Sequence, residues 1–436
     1  MHGFSRPRLV FRGGAFEAAP PAQVGADPAA RASSATPADL VLPGFVNAHS
    51  HAFQRVLRGR VEGRGDDFWG WRERMYRAAL RLDPDDVRVA SRAAFLEMAL
   101  AGFTGVVEFH YLHHDPAGRP HDDPNAMAHA VLEAAAEVGL RICLLETAYA
   151  RGGWKRDLDQ AQRRFADGSV AAFVQRAEAL REAIAGTPLA TFGLALHSVR
   201  ALPAEWLREL SAWGSAQSLP LHMHVAEQTG EVDACLAEHG RRPVELLADV
   251  GALRERFTAV HAIHLTPEEI ELLVGSGARV CACPSTEANL ADGFAPATSL
   301  VAAGVPLCLG TDSHSAIDPF SELRELDYRE RLRFGRRVGV APAGELIEIA
   351  TAGGLAAAGW GADAGAAGDR VVLDGSHPAL AGAPPDSVAE HLLVAGSPAL
   401  VREVTVGGRT IVTEGRHPRQ EEILRDFRAL QARLWG

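Results

Sequence analysis

The stretch Leu40-Val-Leu-Pro-Gly-Phe-Val-Asn-Ala-His-Ser-His51 decides the reading of this chain. An apolar run of this kind reads as a buried strand. Side chains at i and i+2 of a strand share a face, so His49 and His51 can grip one ion. An isolated H-x-H proves little, but three further apolar runs end in the same way: Leu221-His-Met-His-Val-Ala-Glu227, Val260-His-Ala-Ile-His264 and Leu307-Cys-Leu-Gly-Thr-Asp312. Four strand ends therefore carry, in chain order, a His pair, His with Glu, His, and Asp. That order describes a metal-dependent hydrolase.

Eight such runs can be counted: Leu42 to Ala48, Gly105 to Phe109, Arg141 to Thr147, Thr191 to Leu196, Leu219 to Val225, Phe257 to Ile263, Arg279 to Ala282 and Val305 to Gly310. Amphipathic stretches fall between them, among them Pro84 to Ala101, Asn125 to Val138 and one opening at Thr266-Pro267-Glu268-Glu269. This alternation is the signature of repeated βα units. The expected class is α/β, a (β/α)8 TIM barrel with its active site at the C-terminal strand ends.

The flanks differ. Leu9 to Phe16 near the start, and Asp369 to Asp374, His391 to Ala395 and Val401 to Val412 near the end, read as short strands. They are expected to build a small β-sandwich domain from both chain ends, followed by a helix over Glu421 to Trp435. Residues 17–39, rich in Ala, Pro and Ser, read as irregular connection. The expected division is 1–41 and 365–436 for the small domain and 42–364 for the barrel.

The 436 residues suit a barrel of roughly 250 to 350 residues plus an accessory domain. A net charge of -11 argues against nucleic acid or an anionic membrane as partner. Lys155 is the only lysine, so arginine must supply any local cations. The five cysteines are odd in number and imply no disulfide framework. No run approaches the roughly 20 apolar residues of a membrane span, and the opening Met-His-Gly-Phe-Ser-Arg lacks a signal region, so cytoplasmic residence is expected.

His49, His51, His224 and Asp312 form a three-His, one-carboxylate donor set that suits one Zn²⁺ with room for water, with Fe or another divalent ion as the alternative. His222 shares the parity of His224 but lies deeper. His261 is expected to face inward and His264, three residues on, to lie near the loop. Glu227, just past its strand, is placed to take a proton from water, although it could instead be the first acid of the next helix. Phe68, Trp69 and Trp71 could be core or a dimer surface. His113 and His114 point apart and read as loop polarity.

On Pro43-Gly-Phe-Val-Asn-Ala-His-Ser-His51, His224-Val-Ala-Glu227, His261 and Gly310-Thr-Asp312, the chain resembles the mononuclear deaminase branch of the amidohydrolase superfamily. Four narrower motifs are similar to those of the formimidoylglutamate deiminases: His49-Ser-His-Ala-Phe-Gln-Arg55, Phe68-Trp-Gly-Trp-Arg-Glu-Arg-Met-Tyr76, Glu108-Phe-His-Tyr-Leu-His-His-Asp115 and Leu196-His-Ser-Val-Arg200. The resemblance implies metal ligands at His49, His51, His224 and Asp312, and acid/base residues at Glu227, His261 and Asp312. It places substrate contacts at Gln54, Arg72, Tyr111, His197 and Arg200. It also implies zinc-dependent deimination of N-formimino-L-glutamate to N-formyl-L-glutamate and ammonia, a step of histidine degradation, by an enzyme expected to be a homodimer. One metal is expected, because the bridging lysine of binuclear relatives has no counterpart in the fourth run.

The residues agree with such a substrate. Planar Arg forks bind carboxylates bidentately, and an acidic protein that takes a dicarboxylate must supply cations locally. For Arg72, beside Trp69 and Trp71, stacking on an indole is the plainer fate. Two rivals stand beside this reading: a nucleobase, nucleoside or S-adenosylhomocysteine-type deaminase with the same metal core, and a non-catalytic barrel scaffold.

Overall fold

All eight runs form strands in the computed structural model, which describes residues 8–18, 39–62, 67–337, 339–361 and 368–436. Of the connection read over 17–39, residues 19–38 lie outside the described residues. In chain order the strands are β1 Arg8–Arg12, β2 Ala15–Ala18, β3 Asp39–Pro43, β4 Phe45–Ser50, β5 Phe103–His110, β6 Arg141–Ala148 and β7 Ala190–Ser198. They continue with β8 Leu221–Val225, β9 Phe257–His261, β10 Arg279–Ala282, β11 Leu307–Leu309, β12 Arg370–Leu373, β13 Val401–Val406 and β14 Arg409–Thr413.

Strands β4 to β11 pair in parallel and in sequential order. Parallel strands are covered on both faces, which is why these segments read as continuous apolar runs. The sheet comes round on itself between β11 and β4. There Thr311 N and Asp312 N donate to His49 O at 3.1 and 3.0 Å, and His51 N donates to Asp312 O at 3.1 Å. Glycine is needed at this seam, because a Cβ on Gly310 would lie 2.6 Å from His49 Cβ. Closure and placement of His49 and Asp312 are thus one event.

The opening stretch divides at Gly44. Residues 39–43 pair with β1 and β12, whereas 45–50 enter the barrel, so the expected strand Leu42 to Ala48 straddles two sheets. A Cβ at Gly44 would collide with Thr104, so the crossing requires glycine. The small domain is a separate six-stranded mixed sheet, order β14-β13-β12-β3-β1-β2, drawn from both chain ends. A buried ion pair, Arg141 Nε to Asp369 Oδ2 at 2.8 Å, joins barrel strand β6 to the segment leading into β12.

One expected strand is a helix. His391 to Ala395 lies within helix Val388–Ala395, whose buried residues Val388, Ala389, Leu392 and Leu393 follow a helical period. The expected terminal helix is present as Gln420–Trp435, and it buries Ile423, Phe427, Leu430 and Leu434. Arg92 on helix Pro84–Leu100 meets its Glu422 at 2.7 Å. Among the described residues no helix is long and apolar enough to cross a membrane.

Candidate active site

His49 lies on β4 and His51 just past its end, His224 lies on β8, and Asp312 follows β11, where the barrel order brings their side chains together. His224 Nε2 lies 3.2 Å from His49 Nε2 and 3.3 Å from His51 Nε2. Asp312 Oδ1 lies 3.4 Å from His49 Nε2 and 3.3 Å from His51 Nε2. The Nδ1 atoms of His51 and His224 each sit 2.9 Å from a carbonyl, those of Phe109 and His197. A carbonyl only accepts, so both Nδ1 atoms donate. Burial holds both rings below the ordinary histidine range, so they are neutral and their Nε2 atoms present lone pairs to each other. A cation between them resolves that repulsion. Tetrahedral donors about 2.0 to 2.1 Å from Zn²⁺ are themselves about 3.3 Å apart, so the four residues fit a divalent ion.

Glu227 and His261 adjoin this cluster on the Asp312 side. Non-glycine residues at the strand ends take left-handed backbone, with φ 49° at Ala226, 68° at His261 and 44° at Asp312. Such strain gathers at functional sites. His261 Nε2 lies 3.7 Å from Glu227 Oε1 and 3.8 Å from Asp312 Oδ2, and its Nδ1 lies 3.5 Å from Glu287 Oε1. Burial alone would lower the His261 pKa, but Glu227, Glu287 and Asp312 push it up to about 10. Burial also raises Glu227, against the opposing pull of His261 and Arg200. A carboxylate with raised proton affinity can accept a proton and return it.

A cavity of about 320 Å³ opens above, and every expected site residue except the fully buried His49 lines it. Gln54 Nε2 donates to Tyr111 Oη at 2.7 Å. Arg200 Nη2 lies 3.5 Å from Glu227 Oε2, and its Nε 3.6 Å from Glu231 Oε2. The Arg72 guanidinium stacks 4.5 Å from the Trp69 ring, and its buried Nε has no hydrogen-bond partner among the described residues. Arg72 therefore both stacks and faces the cavity, and Phe68, Trp69 and Trp71 are wall.

Sequence reasoning missed Tyr149, Trp154, Arg156 and Glu231, which also line the cavity. Only the β6 loop and the helix after Glu227 bring them there, and no motif marks them. His113 and His114 are not loop polarity, since both are buried. His113 Nε2 donates to Thr147 O at 2.9 Å, and its Nδ1 accepts from Arg176 Nη1 at 2.9 Å. Arg176 also pairs with Glu146 and, at 2.9 Å, with Asp167. His261 faces inward as expected, and His264 is partly exposed.

Residues 40–411 match the model of the amidohydrolase family. The chain belongs to that family. This amidohydrolase is a hydrolytic enzyme of C–N bonds, of the deaminase type. It is 41% identical over 402 residues to the formimidoylglutamate deiminase of Pseudomonas aeruginosa, covering 89% of this chain and 88% of that protein. It is 34% identical over 381 residues to a 5-methylthioadenosine/S-adenosylhomocysteine deaminase of Halobacterium salinarum, covering 86% and 82%. Among solved structures, an amidohydrolase from Brucella melitensis superposes with a TM-score of 0.87 at 34% identity over 99% of both chains.

Proposed function

We propose that this amidohydrolase is a zinc-dependent deiminase that converts N-formimino-L-glutamate and water to N-formyl-L-glutamate and ammonia in cytoplasmic histidine degradation. One observation carries the reading: a single cavity joins the donor and acid/base cluster to three arginines, Arg72 and Arg200 among them, in a protein of net charge -11. The likeness to the Pseudomonas deiminase supports it.

His49, His51, His224 and Asp312 would hold the ion. When bound, it supplies Lewis acidity that makes water nucleophilic near neutral pH. Glu227 takes one proton of the attacking water and delivers it to the NH2 nitrogen of the substrate's protonated amidinium group, which leaves as ammonia. Asp312 accepts the remaining hydroxyl proton as the tetrahedral carbon collapses to the formyl carbonyl. The N–H of His261 donates to the developing oxygen. Arg72 and Arg200 bind the two carboxylates, while the Gln54–Tyr111 pair and His197 orient the chain between them.

A second reading, deamination of a methylthioadenosine-like nucleoside, is favoured by the Halobacterium relative. A neutral nucleoside would leave Arg72, which pairs with no carboxylate among the described residues, without a counter-charge in the cavity. The test compares ammonia release from N-formimino-L-glutamate and from 5′-methylthioadenosine. Turnover of the first and none of the second is expected, and the reverse would leave only the deaminase core standing.

A further inference from the structure

We infer that His261, Cys283 and Asp312 form a second, thiophilic metal site, sharing only Asp312 with the resident ion's donor set, at which excess zinc or cadmium binds and inhibits. Binding follows from the donors alone, whereas the inhibition rests on the proposed roles of His261 and Asp312.

Topology assembles the three donors. His261 ends β9, Cys283 follows β10 and Asp312 follows β11, and these strands are neighbours in the barrel. Their ligand-capable atoms all lie within 4.8 Å of one another. All three are buried, at 1%, 0% and 5% exposure. Neither ring nitrogen of His261 makes a hydrogen bond among the described residues. Asp312 divides its carboxylate between two neighbourhoods, with Oδ1 beside His49 and His51 and Oδ2 toward His261 at 3.8 Å. Oδ2 can therefore serve a second ion while Oδ1 serves the first.

Surrounding charge favours a cation. Carboxylates of Glu227 and Glu287 approach His261 within 3.7 and 3.5 Å. The other histidine group outside the main set, His110 with His113 and Glu146, differs because the Arg176 guanidinium already pairs with Glu146 and His113. No ion pair between an arginine and His261 or Asp312 occurs among the described residues. Glu287 Oε1 accepts from Cys283 N at 2.8 Å, which fixes the backbone that carries the thiol.

Imidazole, thiolate and carboxylate together select Zn²⁺ or Cd²⁺ over Mg²⁺ or Ca²⁺. On binding, the Cys283 thiol releases its proton to solvent, as does His261 when it is protonated, so uptake weakens as pH falls. His261 and Asp312 line the cavity, which gives an entry path. An ion held there takes the His261 nitrogen and the Asp312 oxygen away from the reaction.

The test is a cadmium titration of enzyme carrying its resident metal. The expected result is one additional ion per chain by elemental analysis, an ultraviolet thiolate-to-cadmium charge-transfer band, and loss of turnover in step with that band. Cys283→Ser should keep the resident ion and basal turnover but lose the band and the additional ion, whereas Cys308→Ser should keep both. Should Cys283→Ser not fold, Cys283→Ala serves in its place. An undiminished band in the Cys283 variant, no band in the wild type, or cadmium that enters only by displacing the resident ion would each overturn the site. The metal count and the band are read without substrate, so their outcome is independent of the proposed deimination.

Discussion

His49, His51, His224 and Asp312 on one side, and His110, His113 and Glu146 on the other, are both buried groups whose donor atoms lie within 4.8 Å of each other. They differ in what lies at the centre. In the first, hydrogen bonds to carbonyls turn two Nε2 lone pairs toward one point, and no arginine or lysine among the described residues occupies it. In the second, Arg176 stands among the acceptors and donates to His113, so the guanidinium supplies the positive charge. Proximity of donors is thus a poor criterion for a metal site. The orientation forced on them by their outer partners, and the absence of an internal cation, separate the two.

The sharpest way to break this contrast is the double variant His49→Ala/His51→Ala. It should lose the resident ion and all turnover above background, as read by elemental analysis and ammonia release. Full metal occupancy in that variant would move the ion elsewhere. Glu227→Gln separates holding an ion from using it. It should retain metal and lose about 10² to 10⁴ in kcat, the usual range for a general base, and wild-type turnover would leave Glu227 only a helix-end acid.

Two arginines sharpen the comparison further. Arg176→Met leaves Glu146 and Asp167 buried without their cation and should cost about 3 to 5 kcal/mol of stability in denaturant unfolding, with metal content unchanged. Arg72→Met, which removes a guanidinium that pairs with no carboxylate among the described residues, should do the reverse, sparing the fold while costing about 2 to 5 kcal/mol of substrate binding. Equal unfolding losses in the two variants would erase the distinction between a structural and a binding arginine.

The smallest expected effect concerns the support under His51. Glu108 accepts from Ser50 Oγ at 2.5 Å and Ala52 N at 2.7 Å, and burial raises its carboxyl to about 8. The folded pKa lies above the unfolded one, so this contribution to stability is complete below about pH 4.5 and is lost as pH rises through about 8. Glu108→Gln removes that dependence, so its melting temperature should rise relative to the wild type between about pH 5 and about pH 8. A difference that does not vary with pH would mean that Glu108 is ionised in the fold.

Much of this architecture was legible because barrel strands buried on both faces read as apolar runs, and their ends carry the chemistry. His49, His51, His224, Glu227, His261 and Asp312 could be found that way. The division at Gly44 could not, because both halves of 40–51 are apolar and only the collision with Thr104 marks the crossing. His391 to Ala395 is too short for strand and helix periods to separate, and packing made it a helix. His113 was misread because its partners Glu146 and Arg176 lie far along the chain. Arg156 and Glu231 reach the cavity through a loop and a helix turn that no spacing rule encodes.

The most direct measurement follows the imino nitrogen of N-formimino-L-glutamate, isotopically labelled, through turnover by the metal-loaded enzyme. The expected result is quantitative recovery of the label as ammonia, matched mole for mole by N-formyl-L-glutamate. Label recovered as formamide, or left in unreacted substrate, would contradict the assignment of this cavity as a deiminase site.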